Sequence, residues 1–212
     1  MPRRGWEKKV SSLLSASISA GIPARNHRRR VAAVDSTGLE ATRRSAYYGQ
    51  RCGLRKRRYP KLSAVVDTRT HVCLAAVVNR GPYPDDREFR AVVRQAHQRR
   101  PLRVLLGDAG YDAEKNHRFL ERRNVLGVIP PRKGRPPRAG RRHQAGGFHR
   151  RFWHEHWPKV RWLYGKRWAV ETHFSMVKRL LDSAVRARRP WQIDAEAHLK
   201  EITLNLMIAA AK

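Results

Sequence analysis

Short apolar runs closed by an acid or a turn recur along this chain, and they set its architecture. Val31 to Val34 lead into Asp35-Ser-Thr-Gly, and Val104 to Leu106 lead into Gly-Asp108-Ala-Gly-Tyr. Each predicts a buried strand ending at a carboxylate. Leu62 to Asp67 and Val72 to Asn79 are Val-rich runs split by a short polar turn, which predicts a hairpin. Gly81 to Asp86 breaks the sheet, and Asp85 and Asp86 can cap a helix in which Phe89, Val92, Val93 and Ala96 recur at helical spacing until Pro101. A helix from about Asp112 to Arg123, a strand at Val125 to Ile129 and a basic Gly- and Pro-rich stretch from Pro131 to Gly147, read as a mobile insertion, come next. Two helices close the chain, Tyr164 to Leu181 and Ile193 to Ala211, divided by Arg188-Arg189-Pro190.

This order predicts an α/β fold with a mixed sheet flanked by helices, a hairpin section feeding a parallel crossover section. Residues 1–30 are polar and basic, read as an arm without a core, and residues 40–60 as a long exposed connection.

Charge sharpens the picture. The 212 residues hold 47 Lys plus Arg against 17 Asp plus Glu, a formal net charge of +30. Such an excess attracts polyanions, and Arg, the more abundant cation here, grips phosphate oxygens bidentately, so nucleic acid is the expected partner. The competing account is an Arg-rich composition inherited from base composition. No apolar run approaches the roughly 18 residues of a membrane span. The Ser-rich basic start is too broken for a targeting segment. Cys52 and Cys73, 21 residues apart, suggest neither a disulfide framework nor a cysteine zinc site, and fit a reducing cytosol.

Acids at strand ends in an α/β sheet are placed where ligands gather. Asp35 and Asp108 could simply serve their turns, but on so basic a chain they also suit a hard cation such as Mg²⁺ engaged in phosphodiester chemistry. A third acid, Glu171, lies in the helix from Tyr164. At roughly 100° per residue, Tyr164, Arg167, Glu171 and Lys178 share a stripe about 60° wide. Leu163, Val170, Phe174, Val177 and Leu181 form the adjoining apolar face. A solvated face with an Arg167–Glu171 pair is the alternative.

The spacing Y-x2-R-x3-E-x6-K, met by Tyr164, Arg167, Glu171 and Lys178, resembles the signature of bacterial insertion-sequence transposases of the DDE class, the insertion sequence four/five type. The segments AAVDSTGL around Asp35 and VLLGDAGYDA around Asp108 are similar to those carrying its first and second Asp, in the same order. The likeness extends over roughly residues 31–210. It implies a ribonuclease-H-like catalytic domain over 31–212 with a basic insertion around 131–157. Asp35, Asp108 and Glu171 would hold Mg²⁺ or Mn²⁺, two ions, for hydrolysis and strand transfer during DNA transposition. Tyr164, Arg167 and Lys178 would contact DNA phosphates. Double-stranded DNA, both transposon ends and target, is the implied partner, engaged by a homodimer in the cytoplasm at the nucleoid. The basic clusters at 51–58 and 132–142 could hold DNA by its backbone. Such transposases usually carry an N-terminal helical region for end recognition, and a basic arm of about 30 residues stands here instead, so the arm reads as a truncated end-recognition region. Two alternatives follow: a non-catalytic remnant that binds DNA electrostatically, and a nuclease sharing the fold.

Other residues persuade less. His143, His149, His154 and His156 crowd together without zinc-ligand spacing. Trp153, Trp157, Trp162 and Trp168 are expected to anchor the terminal helices. Asp67 is expected to be a turn residue, and Asp112 and Glu114 first-turn helix acids. No Ser-His-Asp arrangement or phosphate-binding Gly-rich loop stands out.

Overall fold

A computed structural model describes residues 3–22, 30–41, 59–81, 83–84, 86–132 and 148–211. The basic cluster at 51–58, most of that at 132–142, and also Cys52, Asp85 and His143, lie outside the described residues.

Three long strands and two short ones build the sheet: β1 (Val31–Gly38), β2 (Pro60–Asp67), β3 (Cys73–Arg80), β4 (Val104–Leu106) and β5 (Leu126–Val128). Their order is β3-β2-β1-β4-β5. β1 pairs antiparallel with β2 and β2 with β3, whereas β1–β4 and β4–β5 are parallel. The expected mixed sheet therefore forms, with the hairpin on one side of β1 and the crossovers on the other. Asp67 turns that hairpin as expected, its Oδ1 accepting from the Arg69 and Thr70 amides.

Alternation along the strands splits the core in two. Ala32, Val34, Val65, Leu74 and Leu105 meet α1 (Arg3–Gly21), α2 (Asp86–Arg99) and α3 (Glu114–Glu121) through Leu14, Phe89, Val93 and Leu120. Ala33, Leu62, Ala64, Val66 and Leu106 meet α5 (Trp168–Leu181) and α6 (Pro190–Ala210) through Val170, Phe174 and Ala197. Helix α4 (Phe148–Val160) follows β5 and leads into a 3₁₀ stretch, Arg161–Arg167.

Three expectations are corrected. The basic arm is largely the helix α1, packed on α6, with Leu14, Ile18 and Ile22 buried in the core. Its Lys and Arg hide a Leu/Ile stripe at helical spacing, and α6 supplies the apolar partner. β1 does not stop at Asp35 but runs to Gly38, because β2 pairs with it as far as Gly38↔Lys61. Within the expected basic insertion, residues 148–160 form the helix α4.

Candidate active site

Asp35 and Asp108 owe their proximity to strand register. β1 and β4 run parallel with Ala33 opposite Leu106; Asp35 lies two residues further along β1, and Asp108 lies two residues past Leu106, in the turn that follows β4. The step of two along β1 preserves the face. Asp35 therefore lies on the side of Ala33 and Leu106, the side covered by α5, where Tyr164 and Arg167 feel the charge of Asp108 as well. Each carboxylate is steadied by nearby backbone: Asp35 Oδ1 accepts from the Ser36 amide of β1 at 2.8 Å and Asp108 Oδ1 from the Gly110 amide of the following turn at 2.9 Å. Gly107 allows this close packing, since a Cβ there would lie 3.2 Å from the Tyr111 ring and 3.3 Å from Val34.

Glu171 enters from the first turn of α5, whose Val170 and Phe174 are buried against the sheet. The helix starts at Trp168 rather than at Tyr164, and Tyr164 and Arg167 belong to the preceding 3₁₀ stretch. Gly165, a poor α-helix former, sits in its middle. Three residues per turn place Tyr164 and Arg167 one above the other, and the guanidinium carbon stands 5.7 Å from the phenol ring centroid. The alignment expected from an α-helix thus survives in a tighter helix.

Arg167 is the hinge of the site. Its Nη1 donates to Asp35 Oδ2 at 3.0 Å, and its Nη2 pairs with Glu171 Oε1. Burial lowers its basicity, but Tyr164, Asp35, Glu171 and Asp108 together outweigh that and raise its pKa. The Tyr164 hydroxyl is also raised, chiefly by burial, with Asp108 and Asp35 adding to it and Arg167 opposing. Asp35 and Glu171 therefore converge on one cationic group, which Asp108 influences through its charge. Lys178, two turns along α5, donates to Thr37 Oγ1 at 2.7 Å. Asp35, Thr37, Glu171, Phe174, Lys178 and Arg179 line an open cleft of about 490 Å³.

The donor set suits a hard divalent cation: carboxylate oxygens around a place now taken by a guanidinium. The three acids do not bring their oxygens within 4.8 Å of one another, as Cys73, His173 and Glu201 do in the core. That second group is a poor metal centre. His173 Nδ1 donates to the His71 carbonyl at 2.8 Å and Nε2 to Glu201 Oε2 at 2.7 Å, so both ring nitrogens carry protons. Burial opposes the charge, yet Glu201 raises the His173 pKa, while burial and Glu201 keep Cys73 a neutral thiol. It reads as a buried ion pair.

Three further residues depart from expectation. Asp112 is no helix acid but a buried hub between the strand-end loop and α4. It accepts from His117 Nε2 at 2.9 Å, the Arg132 amide at 2.9 Å, Arg150 Nε at 2.9 Å and His154 Nε2 at 3.0 Å. Burial would raise its pKa, but these donors hold it far below the usual carboxylate range. Glu114 does open α3, and it accepts from the Arg150 amide. Trp162 and Trp168 are 72% and 55% exposed, flanked by Arg161 and Arg167, so neither is buried in the core, although the Trp168 ring packs on His71, whereas Trp157 packs on the core. The sequence carried a trace of the buried pair: His173 interrupts the Val170-Phe174-Val177 apolar face.

A family model described as a transposase DDE domain matches residues 26–206. The chain is a DDE transposase domain. The domain is similar in structure to a piggyBac transposase, solved by cryo-EM as a synaptic complex with hairpin DNA, with a TM-score of 0.55 at 11% identity. The match covers 85% of the present domain and 47% of that chain, so the transposase domain spans about half the length of that relative. At such identity the likeness concerns the fold, a transposase core of the ribonuclease-H type. The family is one of enzymes of DNA transposition that use divalent metal. No helix among the described residues is long and apolar enough to cross a membrane.

Proposed function

We propose that this transposase domain cuts and joins DNA strands at the ends of a mobile element of the bacterial insertion-sequence four/five type. Asp35, Asp108 and Glu171 would hold Mg²⁺ or Mn²⁺, two ions. The observation that carries the reading is the convergence of Asp35 and Glu171 on the Arg167 guanidinium, which also feels the charge of Asp108. An acid of β1, one just past the end of β4 and one on α5 would lie together outside the carboxyl ends of the interior parallel strands, where hard-cation chemistry on a phosphodiester can be assembled. When bound, a divalent cation polarises the phosphate and supplies a nucleophile at neutral pH.

The chain's own groups do the rest. Tyr164, Arg167 and Lys178 surround the carboxylates with donors that fit phosphate oxygens, Arg167 through its planar fork. The exposed Trp162 and Trp168, set among Arg and Lys, suit the surface of a DNA ligand. A net charge of +30 supports double-stranded DNA as partner, and handling two ends supports a homodimer on DNA.

The test is a calorimetric titration of Mn²⁺ into the chain beside Asp108→Asn and Glu171→Gln. Binding to the wild type that each substitution weakens by about tenfold or more supports the site. Equal titrations of all three would reduce the domain to a basic DNA-binding remnant.

Arg167 yields a separate prediction. Divalent cation and guanidinium would compete for Asp35 and Glu171, so Arg167→Ala is expected to tighten Mn²⁺ binding while weakening DNA retention. Because the site is partly solvated, the released interaction is about 1 kcal/mol, roughly a fivefold gain in metal affinity. Weaker Mn²⁺ binding in a folded Arg167→Ala protein would refute the exchange.

A further inference from the structure

We infer that His173 and Glu201, together with His71 in the β2–β3 turn, are positioning residues that fix α5 so that Glu171 faces Asp35. The inference rests on the reading of Glu171 as a metal ligand.

Three hydrogen bonds and one ring contact make the clasp. His173 lies two residues beyond Glu171, so its side chain points to the far side of α5, into the core, where it is fully buried. Its Nδ1 donates to the His71 carbonyl at 2.8 Å and its Nε2 to Glu201 of α6 at 2.7 Å. The His71 ring answers by donating to the Ala169 carbonyl at 3.3 Å and packing on Trp168, centroids 5.4 Å apart. The first turn of α5 is thereby tied to the sheet and to α6 at once. Val170 and Phe174 hold the helix down, but apolar contacts permit rotation and sliding that directed hydrogen bonds do not. At the far end of α5 the Lys200 amine donates to the Asp182 and Ala184 carbonyls at 2.7 and 3.0 Å. With both ends set, the outward stripe bearing Glu171 and Lys178 has one rotational setting. His71 adopts φ 60°, a left-handed conformation, which presents its carbonyl and ring to α5 together.

Removing one member alone would strand a buried charge, so the decisive variant replaces both, His173→Met with Glu201→Met, which leaves a packed apolar pair able to fold. Its Mn²⁺ dissociation constant is expected to rise about tenfold, with the far-UV spectrum and DNA retention unchanged. Glu201→Gln is the conservative rescue. With a neutral imidazole whose Nδ1 still serves His71, the amide donates to Nε2 and the link survives, so metal affinity stays near the wild type. His71→Gly accommodates the positive φ and deletes the ring without exposing a buried charge. It should weaken Mn²⁺ binding by roughly threefold, a lost single ring contact of about one hydrogen bond, and it stands in should the double variant not fold. Wild-type Mn²⁺ binding in the folded double variant, or in His71→Gly if that alone folds, overturns the positioning role. A Glu171→Gln control separates the two claims. If it too binds Mn²⁺ like the wild type, the metal-site reading fails and the inference with it; if it binds weakly while the folded clasp variants do not, only the positioning role fails.

Discussion

Asp35→Asn is expected to abolish metal-dependent DNA cutting while leaving DNA retention within about twofold, since its carboxylate is a small part of a strongly cationic surface. The amide keeps the shape and an acceptor for the Ser36 amide, so the fold is not at risk. What it loses is the negative charge now shared with the Arg167 guanidinium. Lewis-acid stabilisation at such a site amounts to several kcal/mol, and about 4 kcal/mol corresponds to roughly a thousandfold in rate. Asp108→Asn and Glu171→Gln should behave alike, because the three acids would act as one unit and their losses would not add. A cleavage assay on supercoiled DNA with Mn²⁺, run beside a retention assay at matched salt, decides it. Cutting retained in all three variants would leave the domain a fold without the chemistry proposed for it.

The largest stability effect is expected at Asp112. Its side chain is fully buried and receives Arg150 through both Nε and Nη2, two histidines and the Arg132 amide. Asp112→Ala leaves the Arg150 guanidinium buried without its counter-charge, a loss of about 3–5 kcal/mol. For a domain of this size that is a fall in melting temperature on the order of 10 °C. The loss should be concentrated where α4 docks, so Trp153, whose ring lies 6.3 Å from that of His117, is the local reporter by fluorescence. pH adds a check. The native Asp112 pKa lies well below its unfolded value, because the hydrogen-bond donors overcome burial. Its contribution is therefore complete above about pH 4, near the unfolded carboxylate value, and is lost progressively as pH falls below that toward the native value. Asp112→Asn should show a shallower acid transition below pH 4 than the wild type. Identical acid profiles would mean that the hub does not hold the helix.

Both sites show where sequence reasoning reached and where it stopped. The strands at Val31 and Val104, the hairpin turned by Asp67, and the helix carrying Phe89, Val92 and Val93 were legible because each follows from a local period and its punctuation. Asp35, Asp108 and Glu171 were legible as candidates because a carboxylate at the end of an apolar run, or on the polar stripe of an amphipathic helix, is marked by its neighbours. The N-terminal helix was hidden by its own charge: Leu14 and Ile18 become core only because α6 lies across them. Trp162 and Trp168 misled in the opposite direction, since aromatic size suggests burial while the 3₁₀ stretch and the first residue of α5 leave both rings largely exposed.

By itself, then, the sequence determined the class of fold, the succession of its strands and of the helices other than α1 and α4, the cationic character, and the acids proposed to carry chemistry, since all of these depend on residues near one another in the chain. Tertiary structure alone decided which groups meet. Arg167 reaches Asp35 across 132 positions, His154 reaches Asp112 across 42, and His173 reaches Glu201 across 28. Such pairings are set by parallel register and by the rotation of packed helices. Those depend on how two apolar faces fit together, a quantity that no local period encodes.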